Sequence, residues 1–401
     1  MTHKHVKNTS LTAKYALVQS FFWMNFAAVM GFSSIYLLDI GFSNTQIGFL
    51  IAAAGLISAL LQPMVASYAD KPSSPSLKKI VAAIILVTLC MAVLLMFSKK
   101  SLLLSGLFYG GCIALLQLLT PLVNSLGMES INQGKKLNFG LSRGMGSLAY
   151  AIAAYVLGII VDQAGADTVP VTVTAIYAIF LAILLAFPFE KAKKAAAPKS
   201  EAAARNTLYF FKKYKRFTIV LAGCVLVYIS HVLLNSFTYQ IVESKGGSSA
   251  DMGFSMALSA CLELPTMFLF GYMVKKVRCD IWFRITGIFF MLKTLGTLLA
   301  PNIPAFYAVQ VFQMFGWALI TVSSVYYVNS IMEPQDAIKG QAYMTMTYTL
   351  GSVIGALLGG SLIDMADVDA MLGFGTAAAF VGMLILLFAT QRPKEEDHLV
   401  S

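Results

Sequence analysis

Charge is what this chain has least of. Only 12% of its 401 residues are Asp, Glu, Lys or Arg, about half of the roughly 25% usual in a soluble domain. With 58% hydrophobic residues and a mean hydropathy of +0.75, that scarcity excludes an ordinary water-soluble fold. The five cysteines (Cys90, Cys112, Cys224, Cys261, Cys279) form no CxxC pair. A cysteine metal site and a dithiol redox motif are therefore excluded, and the cysteines read as small core residues. No GxxxxGK[ST] stretch occurs, so nucleotide hydrolysis is not the driving reaction. HExxH and an intramembrane Asp pair are also missing, and the one GxSxG stretch, Gly140–Gly144, has no histidine in its span, which argues against an intramembrane protease. The longest polar stretch, residues 189–216, is too short for the soluble output domain of a sensor.

What the chain does have is long apolar runs. Twelve candidate spans lie near 15–38, 46–69, 79–98, 102–127, 139–162, 168–188, 217–241, 250–274, 282–300, 303–331, 337–363 and 369–391. A bilayer core of about 30 Å needs ~20 residues per helix. Barrel strands would be ~10 residues long with strict alternation, and these runs are longer and do not alternate. The expected class is therefore all-α integral membrane, because a helix satisfies its backbone groups internally.

The net charge of +10 is explained by topology rather than by nucleic acid. The N-terminal segment with Lys4, Lys7 and Lys14 is polar and basic, and the run after it is too long for the apolar core of a cleaved signal. With the N-terminus inside, 24 of the 29 Lys and Arg fall in cytoplasmic segments, and Lys99, Lys100 and Lys245 fall outside. This bias predicts a multi-pass protein of the inner (plasma) membrane with both termini cytoplasmic. The Lys99–Lys100 pair is a local exception with no explanation in the sequence.

The chain repeats itself. Gly41-Phe42-Ser43-Asn44-Thr45-Gln46-Ile47-Gly48-Phe49 is echoed 205 residues later by Gly246-Gly247-Ser248-Ser249-Ala250-Asp251-Met252-Gly253-Phe254. Each copy opens an even-numbered span with a side chain able to cap it. Gly158-Ile159-Ile160-Val161-Asp162 is likewise echoed by Gly360-Ser361-Leu362-Ile363-Asp364. The predicted organisation is an N-terminal six-helix bundle (1–188), a basic cytoplasmic linker (189–216), a C-terminal six-helix bundle (217–391) and a short tail (392–401). The linker ends in Phe210-Phe211-Lys212-Lys213-Tyr214-Lys215-Arg216-Phe217, read either as an interfacial helix or as a solvated segment. Duplicated halves of this kind are found in transporters whose sites lie near the midplane between the halves.

Only three charges cannot be placed outside the bilayer: Arg143, Glu263 and Lys293. A charge in hydrocarbon costs on the order of 3 kcal/mol, so such residues face water, a solute or each other. Arg143 lies about 6 Å into span five. It either snorkels to the cytoplasmic surface or forks two hydrogen bonds to a ligand. Glu263 sits mid-span, beyond the reach of snorkelling, as a hydroxyl acceptor, a proton carrier or both. Lys293 either pairs with Glu263 or binds an anion. His231 is the only histidine in a span, either part of a proton relay or simply hydrogen-bonded. Asn25, Gln117, Asn124, Asn235, Gln310 and Gln313 place amides on spans one, four, seven and ten, as ligand contacts or helix–helix glue. Trp23, Tyr150, Tyr228, Tyr239 and Trp317 are candidate stacking faces, of which Tyr150 is preferred.

Twelve spans, a basic central loop and Ala66-Ser67-Tyr68-Ala69-Asp70-Lys71 between spans two and three resemble the major facilitator superfamily. The hallmark loop of that superfamily usually begins with Gly, which is Ala66 here. The resemblance implies two six-helix halves around a central cavity, and a conformational latch at Asp70 and Lys71. Gln62-Pro63, the stretch Asn138–Gly146 with Tyr150, and Leu262-Glu263-Leu264-Pro265 resemble the lactose-permease-like and phenylpropionate-transporter-like branch. That resemblance implies solute binding by Arg143, Tyr150 and Glu263; Asn124, Asn25, Gln313 and Asn235 are read as further solute contacts on the cavity spans, and Glu263, Lys293 and His231 as the proton-coupling groups. The chain departs from the branch in span ten, where Gly316 takes the place of a Glu, and in span seven, where an Asp pair is missing. The expected function is alternating-access symport of a small polar solute, a sugar or glycoside, with protons and with no bound cofactor or metal. The alternative is a carrier or exporter of aromatic or organic acids or amphipathic compounds. A functional monomer in the bilayer is expected.

Overall fold

The computed structural model describes residues 3–71, 73–191 and 207–393. Most of the basic linker and most of the tail lie outside the described residues. The elements in order are α1 (His3–Phe26), a π-turn (Ala27–Gly31), α2 (Ser33–Asp39), α3 (Asn44–Ala69), α4 (Leu77–Phe97), α5 (Leu102–Asn132), α6 (Phe139–Ala164) and α7 (Thr168–Ala186). They continue with α8 (Thr207–Lys213), α9 (Lys215–Ser236), α10 (Thr238–Ser244), α11 (Ser249–Lys276), α12 (Cys279–Leu299) and α13 (Ile303–Val309). A 3-10 turn (Gln310–Gln313) and a π-turn (Met314–Ala318) follow, then α14 (Leu319–Ile331), α15 (Pro334–Met365) and α16 (Val368–Ala389). No strand occurs among the described residues. Eleven helical segments are long and apolar enough to cross a membrane, and a pair bent by 43°, Leu11–Gly31 with Ser33–Asp39, makes a twelfth when counted as one span.

The breaks have local causes. The Asn25 amide donates to the Phe21 carbonyl (2.9 Å) just ahead of the first π-turn. Span seven splits at Phe237, beside which the Thr238 hydroxyl donates to the Leu234 (2.7 Å) and Asn235 (3.0 Å) carbonyls. Side chains that take up backbone groups in this way compete with the helix ladder.

The chain forms two compact units. Unit 1 takes the described residues within Met1–Pro198 and Ser248–Ala260, and unit 2 those within Lys199–Gly247 and Cys261–Ser401. The boundary therefore falls inside α11, after Ala260. In unit 1, α1 packs on α6, and α5 packs on α3 and α4. The opening of α11 lies on α6 with backbone against backbone. A Cβ added at Gly253 would press into the Ala154 carbonyl oxygen, and one at Gly158 would sit 2.9 Å from Gly253 Cα. In unit 2, α9 lies between α15 and α16, around Phe217, Val220, Tyr228, Phe283, Phe290, Ile320 and Tyr327. Lipid supplies no hydrophobic drive between helices, so such close packing holds each bundle together.

The sequence repeat is also a repeat of contacts. Ser43 Oγ accepts from Gln46 N (3.2 Å) while Gln46 Oε1 accepts from Ser43 N (3.0 Å), a capping box. In the second copy Asp251 Oδ2 accepts from Ser248 N (2.8 Å). Gly41 and Gly246 both have positive φ, 97° and 76°. Lys78 Nζ donates to the Leu185 carbonyl at the end of α7 (2.7 Å), and Arg284 Nη2 donates to the Thr390 carbonyl at the end of α16 (2.9 Å). Each cation sits against the negative end of a helix dipole.

The loops of unit 1 explain half of the Lys99–Lys100 pair. Lys99 pairs with Asp39 (3.6 Å) and with Asp167, tying together the loops that follow α2, α4 and α6. Its charge is neutralised where it stands, although exposed pairs of this kind contribute only about 0–1 kcal/mol. In unit 2, Lys245 Nζ donates to the Ala300 carbonyl (2.8 Å).

Candidate functional site

In unit 2 the two embedded charges meet through an amide. Lys293 Nζ donates to Gln313 Oε1 at 2.5 Å, and Gln313 Nε2 donates to Glu263 Oε1 at 2.7 Å. Lys293 and Gln313 are 5% and 4% exposed, so neither is shared freely with solvent, whereas Glu263 is partly exposed. The local backbone helps to set this geometry. Gln313 ends a 3-10 turn and is followed by a π-turn, irregularities that often mark functional sites. Pro265 lies two residues after Glu263 and has no N–H for the carbonyl four residues back. The result is a carboxylate and an ammonium of opposite charge, each hydrogen-bonded to one glutamine, with the carboxylate on the open side.

His231 stands apart from this chain. Its ring stacks on Trp317 (centroids 4.2 Å apart, planes 7°) and meets Phe290 edge-on at 5.7 Å. The Asn235 amide donates to the His231 carbonyl (2.8 Å) and lies against the ring nitrogens at 3.0 and 3.2 Å. Among the described residues neither ring nitrogen bonds to Glu263 or Lys293. Gln310 Nε2 donates to the Phe306 carbonyl (3.1 Å).

In unit 1, Arg143 lies over Trp23, with Cζ 3.9 Å from the ring centroid, and Nη1 donates to Ser147 Oγ (2.9 Å). Trp23 is itself held: Nε1 donates to Gln19 Oε1 (3.2 Å). Gln19 Nε2 donates to Asn124 Oδ1 (3.1 Å) and to the Tyr15 hydroxyl (2.7 Å), which donates to the Val123 carbonyl (3.0 Å). Gly146 makes room for this arrangement, because a Cβ there would lie 2.6 Å from Trp23 Cδ1. A guanidinium held over an indole directs its N–H donors outward along its edge, where a ligand can meet them. Trp23 shares the Arg143 site. Tyr150 packs with Met24 and Met256 on Ala27, Ala153 and Ala154. Asn25 is fully buried, and its Oδ1 has no hydrogen-bond partner among the described residues. Gln117 Nε2 points at Met30 Sδ (3.9 Å).

Asp70 ends α3, with its N–H donating to the Ala66 carbonyl (3.0 Å), and the Lys71 N–H donates to the Tyr68 carbonyl (3.2 Å). Ser74 Oγ donates to the Ala69 and Lys71 carbonyls and closes the loop.

Two features escaped sequence reasoning. Gln19 is the hub beneath Arg143, and its only sequence signal is the one-turn spacing to Tyr15 and Trp23. Asp280, 1% exposed, accepts from Arg278 Nε (3.0 Å) and Nη2 (2.9 Å), with Arg284 at 3.9 Å. That cluster sits at the start of α12, with Arg278 in the loop after α11, the counterpart of the Asp70 loop in the second half.

Residues 13–374 match the family described as MFS_1 like family. The chain is 21% identical over 378 residues to a maltose permease of Geobacillus stearothermophilus, with 92% of each protein covered. It is 24% identical over 165 residues to a protein of Deinococcus radiodurans named as a sugar efflux transporter, a match covering 41% of this chain and 42% of that one. Among solved structures, the nucleoside transporter NupG superposes with TM-score 0.77 at 15% identity, covering 94% of this chain and 98% of that one. A bacterial homologue of the iron transporter ferroportin gives 0.73 at 13% identity, covering 96% and 99%. At such identities the structures share the fold.

Proposed function

From the chain's membership of the MFS_1 like family, which makes it a multi-pass membrane transporter and not an enzyme, we propose that it carries a sugar or glycoside together with protons. The observation that carries this reading is the Glu263–Gln313–Lys293 chain. A buried ammonium one amide away favours the ionised form of the partly exposed carboxylate, and protonating that carboxylate changes the pair's net charge from zero to +1, so proton uptake alters the electrostatics of the site. Glu263 is the proton carrier and an acceptor for a solute hydroxyl, and Lys293 balances its charge. Arg143, lying on Trp23, donates to hydroxyls. The amides of Asn124, Asn235 and Gln313 suit a polyhydroxylated solute. The two named relatives transport sugars by their names, which agrees with this reading. The proton is the coupling ion, alternating access is the mechanism, the inner (plasma) membrane is the location with both termini cytoplasmic, and the monomer is the working unit.

The test is proton entry into proteoliposomes holding a pH dye, on adding maltose, lactose, monosaccharides, glycosides or aromatic acids. Acidification driven by a sugar is the expected result. Acidification by aromatic acids alone, corrected for their passive leak, would replace the sugar reading with an organic-acid carrier. No acidification with any compound would refute proton symport.

A further inference from the structure

We propose that Tyr348 is a solute-contacting specificity residue of unit 2, standing where unit 1 has Arg143. The inference rests on the transporter reading above and names a contact which that reading does not contain.

The argument starts from the repeat. An offset of 205 residues relates Gly41 to Gly246, Ser43 to Ser248 and Gln46 to Asp251. The same offset relates Trp23 to Tyr228, Gly146 to Gly351 and Arg143 to Tyr348. The contacts repeat with the residues. A Cβ on Gly146 would lie 2.6 Å from Trp23 Cδ1, and one on Gly351 would lie 2.6 Å from Tyr228 Cβ. In each half, a glycine on the fifth span lets an aromatic residue of the first span press against it. The residue three positions before that glycine then covers the aromatic ring. In unit 1 it is Arg143, 3.9 Å from the Trp23 centroid. In unit 2 it is Tyr348, edge-on to Tyr228 at 5.5 Å and 83°. Duplication has kept the place and changed the chemistry, from a fork of N–H donors to a ring with a hydroxyl.

The surroundings of Tyr348 agree. Its ring meets Trp317 at 5.4 Å, and Trp317 follows Gln313, the partner of Glu263, by one turn. Tyr348 is therefore joined to the Glu263 chain by one aromatic contact and one helical turn, all within unit 2. Spans seven and ten hold the ring on two sides, yet Tyr348 is 39% exposed while Tyr228 is 6%. Its hydroxyl makes no hydrogen bond to the described residues. A tyrosine kept only for packing needs no hydroxyl, and phenylalanine would serve. A ring edge with a free donor and acceptor suits a sugar, whose C–H face packs on aromatic carbon while its hydroxyls need partners.

The test uses the full-length protein as wild type, Tyr348→Phe and Tyr348→Ala. Tyr348→Cys is added in a background where Cys90, Cys112, Cys224, Cys261 and Cys279 are replaced. Binding of maltose, lactose, p-nitrophenyl glycosides and benzoate is measured by calorimetry, with thermal melting as the folding control. A charged, water-soluble methanethiosulfonate probes the cysteine. Tyr348→Ala should weaken the bound sugar about tenfold or more and Tyr348→Phe about three- to tenfold, the scale of one lost hydrogen bond, with melting unchanged. The reagent should label the cysteine introduced by Tyr348→Cys, and the bound sugar should slow that labelling. Sugar binding equal to wild type in both substitutions, or a cysteine that resists the reagent, overturns the inference and leaves the sugar reading standing. Wild-type protein that binds benzoate and no sugar refutes the sugar reading instead. Tyr348 then keeps its role only if Tyr348→Ala weakens benzoate binding.

Discussion

Gln313→Leu removes the amide that separates the two embedded charges while keeping the side-chain volume close. Two hydrogen bonds to charged groups are lost, at 2.5 and 2.7 Å, each worth about 1.5–3 kcal/mol. The Lys293 ammonium is 5% exposed and has no solvent to replace the lost acceptor, so its share stands in full. Glu263 is partly exposed, and water recovers part of its share. The net destabilisation expected is about 3 kcal/mol, close to a hundredfold in the unfolding equilibrium. Adding Lys293→Met removes the orphaned ammonium as well, and replacing both partners with apolar groups is near neutral. The double variant should recover to within about 1 kcal/mol of wild type. Because Lys293→Met alone also orphans the Gln313 oxygen, the coupling between the two substitutions should then be at least about 2 kcal/mol, as for residues in one network. The assay is reversible unfolding in mixed SDS micelles, scored as a double-mutant cycle. Additive losses, or a neutral Gln313→Leu, would mean that the amide does not bridge the charges in the folded protein.

The remaining predictions concern other parts of the structure. Gly253→Ala sets a Cβ hard against the Ala154 carbonyl oxygen, which is backbone and cannot turn aside. It should lower stability by about 1–3 kcal/mol, and an unchanged unfolding midpoint would contradict the close crossing of α6 and α11. Trp23→Ala strips the surface under Arg143 and should weaken solute binding by about 0.5–2 kcal/mol, whereas Trp23→Phe should lose less. Equal binding by all three proteins would detach Arg143 from its ring. The Lys213 ammonium, 2.8 Å from both Glu333 and Asp336, holds the Glu333 carboxyl below its ordinary pKa and is itself raised by the two acids. Because the folded pKa of Glu333 is depressed, its contribution is present above the ordinary carboxylate pKa near ~4.3 and fades as pH falls through the folded value. The raised Lys213 contributes fully below about 10.4 and fades as pH rises through its folded value. Thermal melts from about pH 3 to 7 should show a shallower acid loss in Glu333→Gln than in wild type, and identical acid limbs would contradict the pairing.

The transmembrane class was legible because a bilayer leaves few options for burying a backbone. The three embedded charges were legible for the same reason, since Arg143, Glu263 and Lys293 stand out against apolar runs. The repeat around Ser43 and Ser248 was visible because capping chemistry depends on side chains a few residues apart. What stayed hidden depends on contacts between distant segments. Lys99 looked misplaced until Asp39 and Asp167, on two other loops, were found beside it. Gln313 was one of six span amides, and nothing in its neighbourhood tells which way its amide points. The sequence favoured Tyr150 over Trp23 as the stacking face. Only the space at Gly146 and the support of Gln19 place Trp23 under Arg143. The π-turns in spans one and ten were likewise illegible, because one extra residue in a turn leaves apolar periodicity almost unchanged.

Proton coupling through Glu263 is tested most directly by one variant in two assays. Glu263→Gln keeps the side-chain shape and an acceptor oxygen but cannot carry a proton. In proteoliposomes it should abolish sugar-driven proton entry while equilibrium exchange of the same sugar across the membrane continues at a reduced rate. Proton entry at wild-type rate in Glu263→Gln would contradict the account, and would place the proton on another residue.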